Sequence, residues 1–274
     1  MDPAYQSLRL EVADHVAEVV LTGPGKGNAM GPATWSELPR LFAALDRDPA
    51  VRAVVVRGEG DHFCFGLDLK AMMADIGPLV AGDTQAGART RLHELILDMQ
   101  QANDRVQSCR KPVIAAVSGW CIGAGVDLIS ACDIRLASAD ACFSVREVKL
   151  AIVADMGSLQ RLPRIIGAGL ARELAFTGAD LDAARALRIG LCNEVLPTRE
   201  ALLASARAMA KQIAHNPPLV VQGIKQVMNY CEDKSVADGE RFVAVWNSAF
   251  LASQDLAEAF SSFVERRPPE FKGE

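Results

Sequence analysis

The stretch KPVIAAVSGWCIGAGVDLISACDIRLAS, residues 111–138, decides the fold class. Its first part, KPVIAAVSG, is apolar, contains β-branched residues and ends in glycine, which is typical of a buried strand. VDLISACD then predicts a short helix, and IRLAS predicts the next strand. A strand, a helix and a second strand in this order favour a parallel sheet.

The same alternation of strands and helices occurs nearer the N terminus. HVAEVVLTG (15–23) and VRAVVVRGEG (51–60) are rich in valine and predict strands. Residues 34–46 have apolar side chains at helical spacing, and residues 88–108 predict a longer helix. Residues 74–90, ADIGPLVAGDTQAGART, read as a flexible segment that overlaps the start of this helix.

Helical patterns dominate after about Leu159. The last of them is predicted to run from about Val236 to Arg266, because Pro268 and Pro269 cannot continue a helix. The sequence therefore predicts an α/β core over residues 1–200 and a helical region over residues 201–274.

Composition excludes several classes of protein. The chain has 274 residues, is 50% hydrophobic and carries a formal net charge of -5, which gives no electrostatic footprint for nucleic-acid binding. The seven cysteines are odd in number and lack C-x-x-C spacing, so we expect a reducing, intracellular compartment. The four histidines lack metal-ligand spacing, so we expect no bound metal.

We also expect no targeting or membrane segment. The opening MDPAYQSLRLEVADHV has no basic head before an apolar core, so we expect no signal peptide. No apolar run is long enough to span a bilayer, and FKGE at the end is not a peroxisomal signal. We therefore expect a cytoplasmic protein that does not bind membranes.

Two glycine-containing turns follow strand-like stretches and precede helical ones. They lie in DHFCFGLDLK (61–70) and GWCIGAGVDL (119–128). Backbone N–H groups at such a helix start lack intrahelical partners and can bind an anion or an oxyanion. The second turn matches neither a P-loop nor a dinucleotide-binding fingerprint. An ordinary structural turn is the simpler interpretation of each segment alone.

Three acidic residues stand near apolar runs: Asp127, Glu147 and Asp155. Each has an ordinary structural interpretation. Asp127 falls in the first turn of the predicted helix, where the dipole favours a negative charge. Glu147 stands close to Arg146 and Lys149, which suggests a surface ion pair. Asp155 suits the N-cap of a helix beginning near Met156. From the residues alone, the structural and catalytic interpretations both remain open.

Taken together, these segments resemble the crotonase family, the enoyl-CoA hydratase/isomerase superfamily. The resemblance covers nearly the whole chain, through GKGNAM, DHFCFGLDL, the stretch 111–138, FSVREVKLAIVADMGSLQRLPRIIG, ELAFTG, RIGLCNEVLP and QDLAEAFSSFVERRPPEFKG. It implies an α/β spiral of four turns built from repeated ββα units. A helical C-terminal region would follow and assemble a homotrimer, often doubled to a homohexamer.

The resemblance also implies an acyl-CoA substrate and roles for the site residues. The oxyanion hole would use the backbone N–H groups of Leu67 and Ala124. Hydratases of the family use two glutamates, at the positions of Asp127 and Glu147, and usually have glycine at the position of Asp155. The set found here is similar to that of the dienoyl-CoA isomerases, which convert a 3,5-dienoyl-CoA to a 2,4-dienoyl-CoA.

This similarity implies a role for each acid. Glu147 would remove a proton from carbon 2, and Asp155 would deliver one to carbon 6. Asp127 would orient Glu147 or tune its proton affinity.

Coenzyme A, as part of the substrate and not as a separate cofactor, would follow the first turn, along Cys64, Gly66 and Asp68. Lys26 and Lys272 are candidates for its phosphates, and Lys272 could come from a neighbouring subunit. The acyl tail would enter between the helix over residues 88–108 and the loop before it.

Two other functions compete with the isomerase. An ordinary 2-enoyl-CoA hydratase would position water with Asp127 and Glu147, but aspartate is one methylene shorter than the usual glutamate, and small misplacements are costly. A non-enzymatic relative that binds RNA or another macromolecule is disfavoured by the acidic balance and by the three acids.

Overall fold

The structure, a computed structural model, describes residues 5–81 and 86–274. Its strands are β1 (Leu8–Ala13), β2 (Val16–Leu21), β3 (Ala53–Gly58), β4 (Val113–Val117), β5 (Trp120–Ile122), β6 (Ile134–Ser138), β7 (Cys142–Ser144), β8 (Leu181–Asp182) and β9 (Glu194–Leu196). Its α-helices are α1 (Pro32–Arg47), α2 (Leu69–Val80), α3 (Ala86–Ser108), α4 (Ala124–Ser130), α5 (Ser158–Ile166), α6 (Ala168–Thr177), α7 (Ala183–Arg188), α8 (Arg199–Ala214), α9 (Pro218–Cys231), α10 (Val236–Phe250) and α11 (Gln254–Glu265). One-turn 3-10 helices cover Gly25–Gly27 and Glu147–Leu150.

The strands form two sheets. The larger has the order β1-β2-β3-β4-β6-β9, and every neighbouring pair in it is parallel except β1 and β2. The smaller has the order β5-β7-β8. Isolated parallel bridges join Cys64 to Cys121 and Met30 to Leu67, which brings the glycine turns alongside these strands. The parallel sheet predicted from the strand–helix rhythm is confirmed.

The larger sheet is covered by helices on both faces. Strands β2 and β3 are buried along their whole length, which is why they are nearly continuous runs of valine. Val54 and Val56 join the core cluster that contains Leu38 and Phe42 of α1. Val55, between them, faces the opposite side and joins the cluster of Leu202, Ala206 and Ala210 from α8. The alternation follows from the two-residue period of a strand.

Two predictions about helices were wrong. The single helix predicted over Val236 to Arg266 is two helices, because the chain becomes extended at Ser253, whose hydroxyl caps α11 by accepting from the N–H of Leu256 at 3.1 Å. The segment 74–90, predicted to be flexible, is helical where it overlaps α2 and α3. Residues 82–85 of that segment lie outside the described part of the chain.

The C-terminal helices carry the features expected of an assembly region. Large apolar side chains are exposed on α9, α10 and α11, among them Ile224, Met228, Val245, Phe260 and Phe263. The homotrimer or homohexamer and the division at residue 200 stay predictions, and α8 packs against the larger sheet although it lies mostly beyond residue 200. Among the described residues, no helix is long and apolar enough to cross a membrane.

Replacing Leu202 with alanine should lower the free energy of unfolding by roughly 2–5 kcal/mol. Removing most of a buried leucine side chain loses the transfer free energy of its atoms and leaves a cavity. Leu202 is fully buried between α8 and the sheet. Leu97→Ala on α3 is the control, since Leu97 is 46% exposed, and its change should stay within about 0.5 kcal/mol. Denaturant unfolding measures both. Equal losses in the two variants would contradict this packing.

Candidate active site

The two glycine turns lie side by side. The N–H of Cys64 donates to the carbonyl of Trp120 at 2.9 Å, and the N–H of Ile122 donates back to the carbonyl of Cys64 at 2.9 Å. Gly66 has a φ of +89°, and a Cβ there would lie only 3.0 Å from the carbonyl oxygen of Ile122. Glycine is therefore required at this position both by the backbone conformation and by the close approach of the second turn.

Each turn includes a backbone N–H, that of Leu67 or of Ala124, that has no partner among the described residues. Met30 bonds to both neighbours of Leu67, donating to the carbonyl of Gly66 at 2.8 Å and accepting from the N–H of Asp68 at 2.9 Å. The N–H of Leu67 therefore points away from Met30. Ala124 is the first residue of α4, so its N–H has no intrahelical acceptor. Within residues 5–81 and 86–274, no hydrogen bond uses either N–H.

A cavity of about 460 Å³ opens beside these turns. Leu67 and Ala124 line it, together with Asp127, Glu147 and Asp155. The rest of its wall is mostly apolar or aromatic and includes Trp35, Phe65, Leu69, Met99, Trp120, Leu150, Ile152 and Met156. The structure thus brings the three acids together with the two free N–H groups around one apolar space.

Asp127 is almost completely buried on α4, with an exposure of 1%. Its Oδ1 accepts from the N–H of Ser158 at 2.8 Å, so it ties α4 to the first residue of α5. Burial is the main cause that raises the pKa of Asp127 to about 6; hydrogen bonding from Ser158 opposes this shift, and the charge of Asp155 makes a smaller contribution in the same direction as burial. The helix dipole alone does not explain an acid in this position.

Glu147 forms no ion pair with any other residue that the structure describes. Arg146 pairs with Asp180 instead, and its guanidinium lies 5.3 Å from the centroid of the Trp120 ring. Oε2 of Glu147 is buried and has no hydrogen-bond partner among the described residues. A Cβ at Gly123 would come within 3.2 Å of Oε1, so the glycine makes room for the carboxyl group.

The environment of Glu147 favours its neutral form. Burial raises the pKa of Glu147 to about 7, and the negative charge of Asp127 adds to the shift. At neutral pH the group is therefore divided between its acid and its base forms, which suits a residue that gains and loses protons during catalysis.

Asp155 does not cap a helix. Helix α5 begins at Ser158, and the residue before it, Gly157, occupies the N-cap position with a φ of +110°. Asp155 is partly buried in the irregular segment before α5, and this burial raises its pKa. Its carbonyl oxygen accepts from Nε2 of Gln100 at 2.7 Å. The structural interpretation available from the sequence is therefore wrong for Asp155.

Comparison with known proteins shows the family of this chain. The family model described as "Enoyl-CoA hydratase/isomerase" matches residues 11–274. The chain belongs to this family. The resemblance and the fold class predicted from the sequence are both confirmed.

Individual relatives cover nearly the whole chain. The mitochondrial Delta(3,5)-Delta(2,4)-dienoyl-CoA isomerase of Dictyostelium discoideum is 44% identical over 98% of this chain and 92% of that protein. The peroxisomal enzyme of the same name from Arabidopsis thaliana is 40% identical over 96% of this chain and 95% of that protein. The crystal structure of an enoyl-CoA hydratase from Bacillus anthracis is 29% identical and covers 98% of this chain and 100% of that chain, with a TM-score of 0.89.

The residues of the first turn that are expected to bind coenzyme A have different positions and roles in the structure. Gly66 lines the cavity. Cys64 is completely buried, and burial raises the pKa of its thiol to about 12, so its side chain supports the turn from inside the core. Asp68 caps α2 by accepting from the N–H of Ala71 at 3.0 Å.

Of the two candidate lysines, Lys272 does not line this cavity in a single chain. The backbone N–H of Lys272 donates to Oδ1 of Asp255 in the first turn of α11. The side chain of Lys26 lies outside the described part of the structure. Contacts of both lysines with coenzyme A stay predictions.

Several wall residues were not identified from the sequence. Trp120 and Arg146 directly adjoin the segments that carry the N–H groups and Glu147, so a closer examination of those segments would have found them. Trp35 and Met99 come from the apolar faces of α1 and α3. Helical periodicity predicts such a face but does not say which part of it borders a cavity.

Replacing Asp127 with asparagine should lower the pKa of Glu147 from about 7, because it removes the negative charge that opposes ionisation. Asparagine keeps an oxygen that can accept from the N–H of Ser158. A carbon-13 NMR titration of labelled glutamate carboxyl groups measures the shift, with Glu147→Gln to assign the signal. Asp98→Asn, at an exposed site on α3, is the control. A Glu147 pKa that stays at its wild-type value in Asp127→Asn would contradict the placement of these acids.

Proposed function

We propose that this protein isomerises a 3,5-dienoyl-CoA to the conjugated 2,4-dienoyl-CoA, as a step in the β-oxidation of unsaturated fatty acids. The observation that carries the proposal is the third acid, Asp155, which lines the same cavity as Glu147 and the two free N–H groups. The two relatives named as dienoyl-CoA isomerases support it.

The reaction removes a proton from carbon 2 and adds a different one at carbon 6. Glu147 takes the proton as the C2–H bond breaks, and the electron pair passes into the thioester to give a dienolate. A new C–H bond then forms at carbon 6 as the O–H bond of Asp155 breaks, and the double bonds shift into conjugation with the thioester. Proton exchange with solvent then returns Glu147 to its ionised form and Asp155 to its neutral form. Two separate acids are needed because carbons 2 and 6 lie at opposite ends of an extended system, whereas hydration acts only at carbons 2 and 3.

The backbone N–H groups of Leu67 and Ala124 stabilise the dienolate in this mechanism. They donate to the thioester oxygen as it gains negative charge, and the loss of one such donor typically costs about 3 kcal/mol in the barrier. Alanine is suitable at position 124 because only its N–H is used, and Ala124 is not among the described residues with positive φ.

The acids must begin the reaction in different protonation states, with Glu147 ionised and Asp155 neutral. A pKa of about 7 leaves much of Glu147 ionised at neutral pH. Burial shifts the pKa of Asp155 upward, the direction that its role requires, and the proposed mechanism requires the bound complex to complete this preference for the neutral form. A bound acyl chain would remove water from the cavity and strengthen this preference. Asp127 tunes Glu147 through its charge.

The cellular setting is also proposed. The protein acts as a homotrimer or homohexamer on soluble acyl-CoA in the cytoplasm. The relatives' names place those proteins in mitochondria and peroxisomes, so the cytoplasmic location has no support from them. Size-exclusion chromatography with light scattering tests the assembly, and cell fractionation tests the location.

Replacing Asp155 with asparagine should reduce isomerisation by about 100-fold or more, because asparagine cannot supply the proton at carbon 6. Acyl-CoA binding should stay within about two-fold of wild type, since the oxyanion donors and the apolar wall are unchanged. The absorbance of the conjugated dienoyl thioester measures turnover, and titration calorimetry with a saturated acyl-CoA measures binding. Asp98→Asn is again the control.

The same assay separates the isomerase from a hydratase when the wild-type protein is also given crotonyl-CoA. We expect turnover of the 3,5-dienoyl-CoA to dominate. Efficient hydration of crotonyl-CoA, together with full activity of Asp155→Asn, would identify a 2-enoyl-CoA hydratase instead. Binding to a macromolecule with no turnover of any acyl-CoA would identify a non-enzymatic relative.

A further inference from the structure

Helix α3 holds the segment that carries Asp155 through two side-chain amides. Nε2 of Gln100 donates to the carbonyl oxygen of Asp155 at 2.7 Å, and Nδ2 of Asn103 donates to the carbonyl oxygen of Met156 at 2.9 Å. The two amides are three residues apart, so they share one face of the helix. A carbonyl oxygen can only accept, so in both cases the nitrogen of the amide must face the segment.

The segment has little other hydrogen bonding to fix its backbone. Ile152 donates from its N–H to the carbonyl of Glu147 at 3.1 Å. From Val153 to Met156, no backbone–backbone hydrogen bond is formed with any other described residue. Arg161 reaches the carbonyl of Met156 at 3.4 Å, beyond the usual length of such a bond. The amides of Gln100 and Asn103 are therefore the main polar contacts of this backbone.

The bond from Gln100 acts at the peptide that fixes the position of the Asp155 side chain. A catalytic acid has to come within about 2.6–3.2 Å of the atom with which it exchanges a proton. Misplacement by about 1 Å can cost about 100-fold in rate. Because Asp155 lies in neither a helix nor a strand, its reach depends on contacts of this kind.

Glu147 is supported independently of α3. It begins a 3-10 helix and packs against Gly123, and its neighbour Arg146 is held by Asp180 and Trp120. A change at Gln100 should therefore disturb one of the two proton transfers and spare the other.

We propose that Gln100 is a positioning residue for proton delivery at carbon 6, which it controls by holding the backbone of Asp155 through its side-chain amide. Asn103 fixes the next peptide from the same face of α3. This inference rests on the proposed isomerase function, and it assigns to α3 a part in the second proton transfer only.

Gln100→Met and Gln100→Glu test the inference, because both keep the length of the side chain and remove the amide donor. In each, kcat for the 3,5-dienoyl-CoA should fall by about 10-fold or more while KM stays within about two-fold. Proton transfer at carbon 6 then limits the rate, so the isotope effect of a substrate deuterated at carbon 2 should fall and the solvent isotope effect should rise. Gln101→Met, exposed on the same helix, should leave all these values unchanged.

Two results would overturn the inference: a kcat that equals wild type in a folded Gln100 variant, or a reduced kcat with both isotope effects at their wild-type values. Thermal unfolding identifies a variant that is not folded, and the other variant then decides. If the proposed isomerase function is wrong, the result is different, because Asp155→Asn would then retain turnover. If a Gln100 variant has the kcat of wild type and Asp155→Asn is inactive, only the positioning role of Gln100 is overturned.

Discussion

Ionising several carboxyl groups in one apolar cavity is energetically unfavourable. The raised pKa values of the acids in the active site follow from this. Loss of water disfavours the charged form of each acid, and each negative charge disfavours the next. Asp127 and Glu147 therefore have raised pKa values of about 6 and about 7, and burial raises the pKa of Asp155. Groups that would all be ionised in water can then divide into bases and acids near neutral pH, as a proton shift requires.

The fold meets this constraint by holding each acid on a different support. Asp127 is on α4 and is fixed by the N–H of Ser158. Glu147 is on a 3-10 helix, and Asp155 is on a segment fastened to α3. The two glycine turns lie side by side, and Leu67 and Ala124, whose N–H groups are proposed to bind the reacting oxygen, both line the cavity. Since solved hydratases share this architecture, the fold alone does not choose between hydration and isomerisation, and the choice depends on the acids.

Much of this arrangement could be predicted from the sequence, but not the convergence of the acids. The valine-rich runs and the glycine turns predict the strands and the parallel sheet correctly, because both are local features of the sequence. The break at Ser253 was missed because the apolar spacing continues across it, and local periodicity does not register one capping hydroxyl. Asp155 had an equally good local interpretation as an N-cap. Only the path of the chain in space shows that it borders the same cavity as Glu147.

A crystal structure with a bound dienoyl-CoA would show where the acids lie relative to the reacting carbons. We expect the thioester oxygen about 3 Å from the nitrogens of Leu67 and Ala124, with a carboxyl oxygen of Glu147 near carbon 2 and one of Asp155 near carbon 6. A complex in which the carboxyl group of Asp155 faces solvent, or lies beside carbons 2 and 3 together with that of Glu147, would contradict this expectation.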